Sequence, residues 1–209
     1  MLIAGTDRSI EAAVLAGGKN RRFGGKVKAN MKVGEKAIID QSLDILDSVF
    51  PRTIIITNYR SEFQSLQEYD MFEDIYKDIG PLGGIHTALS NTSADALFIV
   101  AGDMPQLSAF YIRQMAEYFF MSECDVLIPR AGDNIEPLHS VYSRNILGRL
   151  EAYISSSEKY AIRDFLKEVE VEYLDITEEG EGRRVFININ SQKDLDNYLL
   201  EQKEGKQKL

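Results

Sequence analysis

The part of this chain best equipped to do chemistry lies between Lys19 and Lys32. It holds six basic residues (Lys19, Arg21, Arg22, Lys26, Lys28 and Lys32) and no acidic one, in a 209-residue chain with 24 Lys+Arg, 33 Asp+Glu and a formal net charge of −9. The stretch follows a short apolar run, Ala12 to Ala16, through Gly17-Gly18, and contains Gly24 and Gly25. Glycines let a backbone approach a ligand closely and let its N–H groups converge on an anion. A basic, glycine-rich loop after a buried strand is suited to holding phosphate. Its spacing is not that of a P-loop, because no Gly-Lys-Ser/Thr follows at the required offset, nor that of a G-x-G-x-x-G dinucleotide turn. Taken alone, the loop could also be an ordinary turn with solvated lysines.

Carboxylates stand where a cation would bridge them to phosphate. Asp103 directly follows the apolar run ALFIVA and Gly102. A carboxylate on a tight turn at the carboxyl end of a central strand is where an α/β enzyme places a metal ligand, the alternative being an Asx-type turn. FEDIYKDIGPLGG, at 72–84, holds Glu73, Asp74 and Asp78 ahead of Gly80-Pro81. Proline suits the first turn of a helix, and a helix N-terminus among glycines draws anions. A solvated acidic loop capping that helix is the alternative. Asn58 ends the run TIIIT, and its position alone reads as the cap of a following helix, with a ligand-facing role left open. His139 could be a general base, though a hydrogen-bonded sheet histidine is the better reading. Two histidines and one cysteine, Cys124, make no zinc site, so a metal here is expected to be a hard, oxygen-ligated ion such as Mg²⁺.

The elements that position these groups follow from periodicity. Apolar or alternating runs at 12–16, 53–57, 96–101, 125–129, 136–142 and 170–176 read as strands, with that at 136–142 antiparallel at a sheet edge. Helices are expected at 36–50, 60–68, 81–89, 108–121 (capped by Ser108), 144–153 and 161–169. A last strand at 185–189 leads through Asn188 and Asn190 to a helix starting at Ser191. Strands alternating with helices make an α/β fold with a mostly parallel sheet. One domain is expected over 1–209, with 1–9 and 202–209 frayed.

Composition narrows the partners. With 44% hydrophobic and 27% charged residues the chain is expected to be globular, and no run approaches the roughly 18 apolar residues of a membrane span. The acidic balance speaks against nonspecific nucleic-acid binding. A lone cysteine forms no internal disulfide, and MLIAGTDRSI lacks the basic start and apolar core of a secretory signal, so cytoplasm is the expected compartment.

LAGGKNRRFGGKVKA at 15–29 resembles the L-A-G-G-x-x-x-R-M-G-x-x-K signature of nucleotidyltransferases, among them the molybdenum cofactor guanylyltransferases (MobA-like proteins). GPLGGI at 80–85, AGDMP at 101–105, EPLHSVY at 136–142 and FININSQKDL at 186–195 are similar to later motifs of that family, in the same order. The resemblance spans most of residues 11–200. It departs at Phe23, where the family usually has Met, and at Val27, where it usually has Asp.

The resemblance implies a three-layer Rossmann-like nucleotidyltransferase fold, its mostly parallel sheet carrying an antiparallel edge portion. It implies Mg²⁺-dependent transfer of GMP from GTP to the terminal phosphate of molybdopterin, with pyrophosphate released. Leu15, Ala16, Gly17 and Gly18 would lie along the nucleotide, and Arg22 and Lys28 would neutralise the triphosphate. Asn58 and Asp74 would contact the nucleoside, and Asp103 would hold Mg²⁺. Asn188 and Asn190 would lie near the metal or the pterin substrate; Arg163 is a candidate phosphate contact on the pterin side, a surface salt bridge being an equal alternative. Implied partners are GTP, molybdopterin, other cofactor-biosynthesis proteins and acceptor molybdoenzymes. Two other readings stay open: a sister enzyme using CTP on molybdopterin or a triphosphate on a sugar or polyol phosphate, and a noncatalytic nucleotide-binding protein.

Overall fold

The structure is a computed structural model that describes residues 8–17 and 28–176 together with Asp194 and Asn197. Among the described residues, seven strands set the frame of the main sheet. β1 (Ile10–Leu15) lies between β4 (Thr53–Ile56) and β6 (Ala96–Ala101), parallel to both, and β5 (Asp70–Phe72) adds in parallel outside β4. On the other side β7 (Val126–Ala131) and β10 (Val171–Asp175) run parallel to each other. β9 (His139–Ser143) is inserted between β6 and β7 and is antiparallel to both. The order is β10-β7-β9-β6-β1-β4-β5, with the two-residue β8 (Asn134–Ile135) paired to β7. A separate small ribbon joins β2 (Lys32–Val33) to β3 (Lys36–Ala37).

Side-chain alternation along the strands builds two cores. In β6, Phe98 and Val100 point to one face and Leu97 and Ile99 to the other, all fully buried. On the first face lie α1 (Ile38–Asp47), through Ile39, Leu43 and Leu46, and α3 (Ala109–Met121), through Ile112, Met115 and Phe119. On the second lie α2 (Pro81–Ser90), through Leu82, Ile85 and Leu89, α4 (Leu147–Ser156), through Leu150 and Ile154, and the short α5 (Ile162–Phe165), through Phe165. This is the expected three-layer α/β arrangement with a mostly parallel sheet.

Three expectations are corrected. β9 is antiparallel but lies inside the sheet rather than at its edge, because the chain returns from β7 through the β8 turn into the space beside β6. Residues 60–68 form not an α-helix but a 3-10 segment, Arg60–Leu66, broken at Phe63, whose φ of −120° is not helical. Ser108 occupies the N-cap position of α3, yet its hydroxyl does not make the capping bond. The closing strand and helix at 185–191 lie outside the described residues.

Candidate active site

The carboxyl ends of β1, β4 and β6 open onto a cleft of about 490 Å³. Parallel strands all end on one side, so the loops leaving them are gathered there. The chain leaves β1 at Ala16, whose N–H donates to the Ile56 carbonyl at 2.8 Å, and Gly17 reaches the cleft wall. When the chain is described again, Lys28 starts a 3-10 turn, Lys28–Asn30, whose buried Ala29 packs beneath the turn after β6.

That turn carries Asp103. The Gly102 N–H donates to the Leu15 carbonyl at 3.0 Å, which ties the end of β6 to the end of β1. A Cβ on Gly102 would meet Ala29 Cβ and the Leu15 carbonyl oxygen at 3.2 Å and Ala16 Cα at 3.3 Å, so only glycine permits this approach without displacement. Ser42 of α1, itself buried, donates to the Ile38 carbonyl at 3.0 Å and the Met104 carbonyl at 3.3 Å, holding the turn from below. Asp103 is thereby aimed at Lys28, whose Nζ lies 3.2 Å from Oδ2. The pair brings a cation and a carboxylate to the same wall of the cleft.

A second pair lines the cleft. Asn58 Nδ2 donates to Asp74 Oδ2 at 2.7 Å, and the Asp74 N–H returns a bond to Asn58 Oδ1 at 3.1 Å. The capping reading of Asn58 is therefore overturned. Tyr59, not Asn58, stands at the N-cap of the 3-10 segment, and the Asn58 amide is spent on a partner 16 residues away. Burial pushes the Asp74 carboxyl above the usual carboxylate range, while the Asn58 hydrogen bond and nearby Lys77 pull it back. Thr57 fixes the approach, its hydroxyl donating to the Ala16 carbonyl and accepting from the Tyr59 N–H, both at 3.1 Å.

The GPLGG segment closes the wall. Gly80 adopts φ +69° ahead of Pro81 at the start of α2. A Cβ on Gly83 would stand 2.5 Å from the Tyr76 carbonyl oxygen, and one on Gly84 would press on Leu15 Cδ1 at 3.2 Å. Asp78, at φ +63°, is the one non-glycine residue with positive φ among the described residues, and it too lines the cleft.

Leu15, Ala16, Gly17, Lys28, Asn58, Asp74 and Asp103 thus all border one cleft. Arg163 is exposed on α5 and is not part of the cleft lining. Gly18, Arg22, Asn188 and Asn190 lie outside the described residues. Tyr59 and Leu138 line the cleft without having been singled out; Tyr59 adjoins Asn58, and Leu138 belongs to the EPLHSVY segment. His139 fits neither expectation. It is fully buried, absent from the lining, and neither ring nitrogen has a hydrogen-bond partner among the described residues. It packs edge-on against Phe98, with ring centroids 5.0 Å apart, and burial drives its pKa down to about 3, so it is a neutral core residue.

A family model described as the MobA-like NTP transferase domain matches residues 12–173. The chain is 31% identical over 193 residues to the molybdenum cofactor guanylyltransferase of Syntrophotalea carbinolica, covering 90% of this chain and 89% of the relative. It is 28% identical to the molybdenum cofactor guanylyltransferase of Vibrio parahaemolyticus, covering 87% and 91%. Among solved structures, the molybdopterin-guanine dinucleotide biosynthesis protein A of Archaeoglobus fulgidus superposes with a TM-score of 0.79 at 25% identity, over 93% of this chain and 99% of that one. With the two described ends of its first motif, 15–17 and 28–29, on one cleft with the second and third motifs, and the family model matching from β1 to β10, the chain belongs to the MobA-like NTP transferase domain family.

Proposed function

We propose that this protein transfers GMP from GTP to the terminal phosphate of molybdopterin, in its molybdenum form, giving molybdopterin guanine dinucleotide and pyrophosphate. The observation that carries the reading is the Lys28–Asp103 pair set in the same cleft as the Asn58–Asp74 pair, at the carboxyl ends of the parallel strands. Family membership and the names of the relatives supply the substrates.

In this reading an oxygen of the acceptor phosphate attacks the α-phosphorus of GTP, and the bond from that phosphorus to the bridging oxygen of the leaving pyrophosphate breaks. The attacking phosphate is already ionised near neutral pH, so no protein base is required. The neutral, buried His139 is consistent with that. What the chain must supply is positive charge and alignment. Lys28 and Arg22 offset the charge of the triphosphate. Asn58 and Asp74 hold the nucleoside, and Arg163, Asn188 and Asn190 serve the pterin side.

Mg²⁺ fits the donor set. Among the described residues no group of three His, Cys, Asp or Glu side chains could form a protein cage for a metal. Mg²⁺ in phosphoryl-transfer sites instead takes one or two carboxylates and completes its shell with substrate phosphates and water. Asp103 would be that carboxylate, and the ion would offset charge on the phosphate oxygens. A cytoplasmic location, exchange with other cofactor-biosynthesis proteins and delivery to acceptor molybdoenzymes belong to the same proposal; no helix among the described residues is long and apolar enough to cross a membrane.

Calorimetry with GTP, CTP, ATP and UTP, each with and without Mg²⁺, tests the reading. Selective, Mg²⁺-dependent GTP binding is expected. Preference for CTP or UTP would move the protein to a sister activity, and no binding at all would remove the functional reading.

A further inference from the structure

Just past the end of β5 the ladder stops, and two successive peptide N–H groups are taken up by side chains from different elements. The Asp74 N–H donates to Asn58 Oδ1, as described, and the Ile75 N–H donates to Thr87 Oγ1 at 2.9 Å. Thr87 lies in the middle of α2, fully buried, with Leu82, Ile85, Ala88 and Leu89 of the same helix in the apolar core. Nothing in helix formation or core packing asks for a hydroxyl there. Valine has nearly the same shape and no polar atom to desolvate.

Ile75 is 56% exposed as a residue, but its N–H turns inward to a hydroxyl that is fully buried. What the bond adds is position. With Asn58 holding the peptide before Asp74 Cα and Thr87 holding the one after it, the residue is pinned from both sides, to the end of β4 and to α2. Thr87 is itself absent from the cleft lining, so it acts through Asp74 rather than on a ligand.

We propose that Thr87 is a positioning residue of the nucleotide site: its buried hydroxyl fixes the peptide after Asp74 and so keeps the Asp74 carboxylate presented to the nucleoside. The role rests on the nucleotidyltransferase reading above and deepens it. Nucleotide affinity is then set partly by a group that touches no nucleotide.

Thr87→Val and Thr87→Ser separate this role from simple packing. In Thr87→Val the melting temperature should fall by only a few degrees, while the Kd for GTP with Mg²⁺ by calorimetry rises roughly three- to tenfold, the worth of one positioning hydrogen bond. KM for GTP should rise while kcat changes little. Amide exchange at residues 73–76 of the unliganded protein should quicken. Thr87→Ser, which keeps the hydroxyl, should restore both affinity and protection. Wild-type affinity and exchange in Thr87→Val overturn the proposal. So does equal weakening in both variants, because Thr87→Ser keeps the hydroxyl and altered core packing would then be at fault. Wild-type protein that binds no triphosphate overturns the nucleotidyltransferase reading and the nucleotide role with it. Exchange at Ile75 in Thr87→Val still decides, in that case, whether the hydroxyl orders the loop.

Discussion

Lys28 Nζ and Asp103 Oδ2 lie 3.2 Å apart although 75 positions separate the two residues, and only 20% and 23% of their side chains are exposed. The pair brings the basic end of the first loop to the turn after β6. An ammonium is a donor of charge to phosphate and a carboxylate an acceptor for a divalent ion, so the two groups are complementary to a metal-bound triphosphate. Such a half-shielded pair contributes only about 1 kcal/mol to stability. Its placement is better explained by the cleft it faces than by the fold it holds.

Asp103→Asn should therefore separate function from folding. The variant keeps the size of the side chain and loses the charge that would hold a divalent ion. Turnover should fall by roughly a hundredfold or more, while urea unfolding shifts by about 1 kcal/mol or less. Steady-state pyrophosphate release and equilibrium unfolding on the same preparation check both halves. Full activity in the purified variant would remove Asp103 from the chemistry.

Gly83→Ala tests the close approach beneath the acidic loop. The new Cβ would stand 2.5 Å from the Tyr76 carbonyl oxygen, and this neighbour is backbone, which cannot swing aside. The loop from Glu73 to Gly80 must shift, at a cost of roughly 1–3 kcal/mol. GTP affinity should fall with it, because Asp74 and Asp78 ride on that loop. Gly148→Ala is the control: it lies in α4 with open space around a Cβ, and should stabilise by up to about 1 kcal/mol through helix propensity. Unfolding midpoints of the two variants should move in opposite directions.

The sequence carried what is local and lost what is not. TIIIT and ALFIVA are continuous apolar runs because β4 and β6 are covered on both faces, and that signal needs no partner to be read. Asp103 was legible for the same reason, as the first carboxylate after such a run. β5 escaped notice because Asp70–Phe72 is only three residues long, too short for alternation to emerge. The interior position of β9 is a fact about strand order, which its own residues do not encode. Asn58 was misread as a cap because its true partner, Asp74, lies 16 residues on, beyond the reach of any local rule. Thr57 and Thr87 gave no signal at all, since a buried threonine in an apolar run looks like a valine until its hydroxyl is located.

Asp74 should show the trade between stability and binding. Its folded-state pKa is raised above 3.8, with burial as the main cause. The folded protein then holds a proton more tightly than the unfolded chain. Stability contributed by this group falls as pH rises through the window just above 3.8, and the penalty persists at neutral pH. Asp74→Asn removes the charge, and its amide oxygen can still accept from Asn58 Nδ2. The variant should be somewhat more stable than wild type at pH 7, with the difference shrinking as pH approaches 4, and it should bind GTP more weakly. Unfolding at pH 4 and pH 7 with calorimetry at pH 7 checks this; a destabilised variant at pH 7 would mean the carboxylate is a net support of the fold.

His139 makes the opposite demand on pH. Its folded-state pKa is lowered from 6.5 to about 3 by burial alone, so between these values the unfolded chain binds the proton that the folded one refuses. Stability is therefore unaffected above about pH 7 and falls as pH drops below 6.5, at a slope approaching about 1.4 kcal/mol per pH unit. Neutral pH carries a separate cost, because both ring nitrogens lack a partner among the described residues. His139→Leu keeps an apolar contact with Phe98 and leaves no polar atom to desolvate. It should stabilise the protein by about 1 kcal/mol or more at pH 7, and the advantage should grow by about 2 kcal/mol at pH 5. Activity should survive, since the ring does not reach the cleft. Urea titrations of wild type and variant at the two pH values measure the growth directly. A constant difference would show that the buried ring is protonated as easily as in the unfolded chain, and loss of turnover with the fold intact would return His139 to the active site.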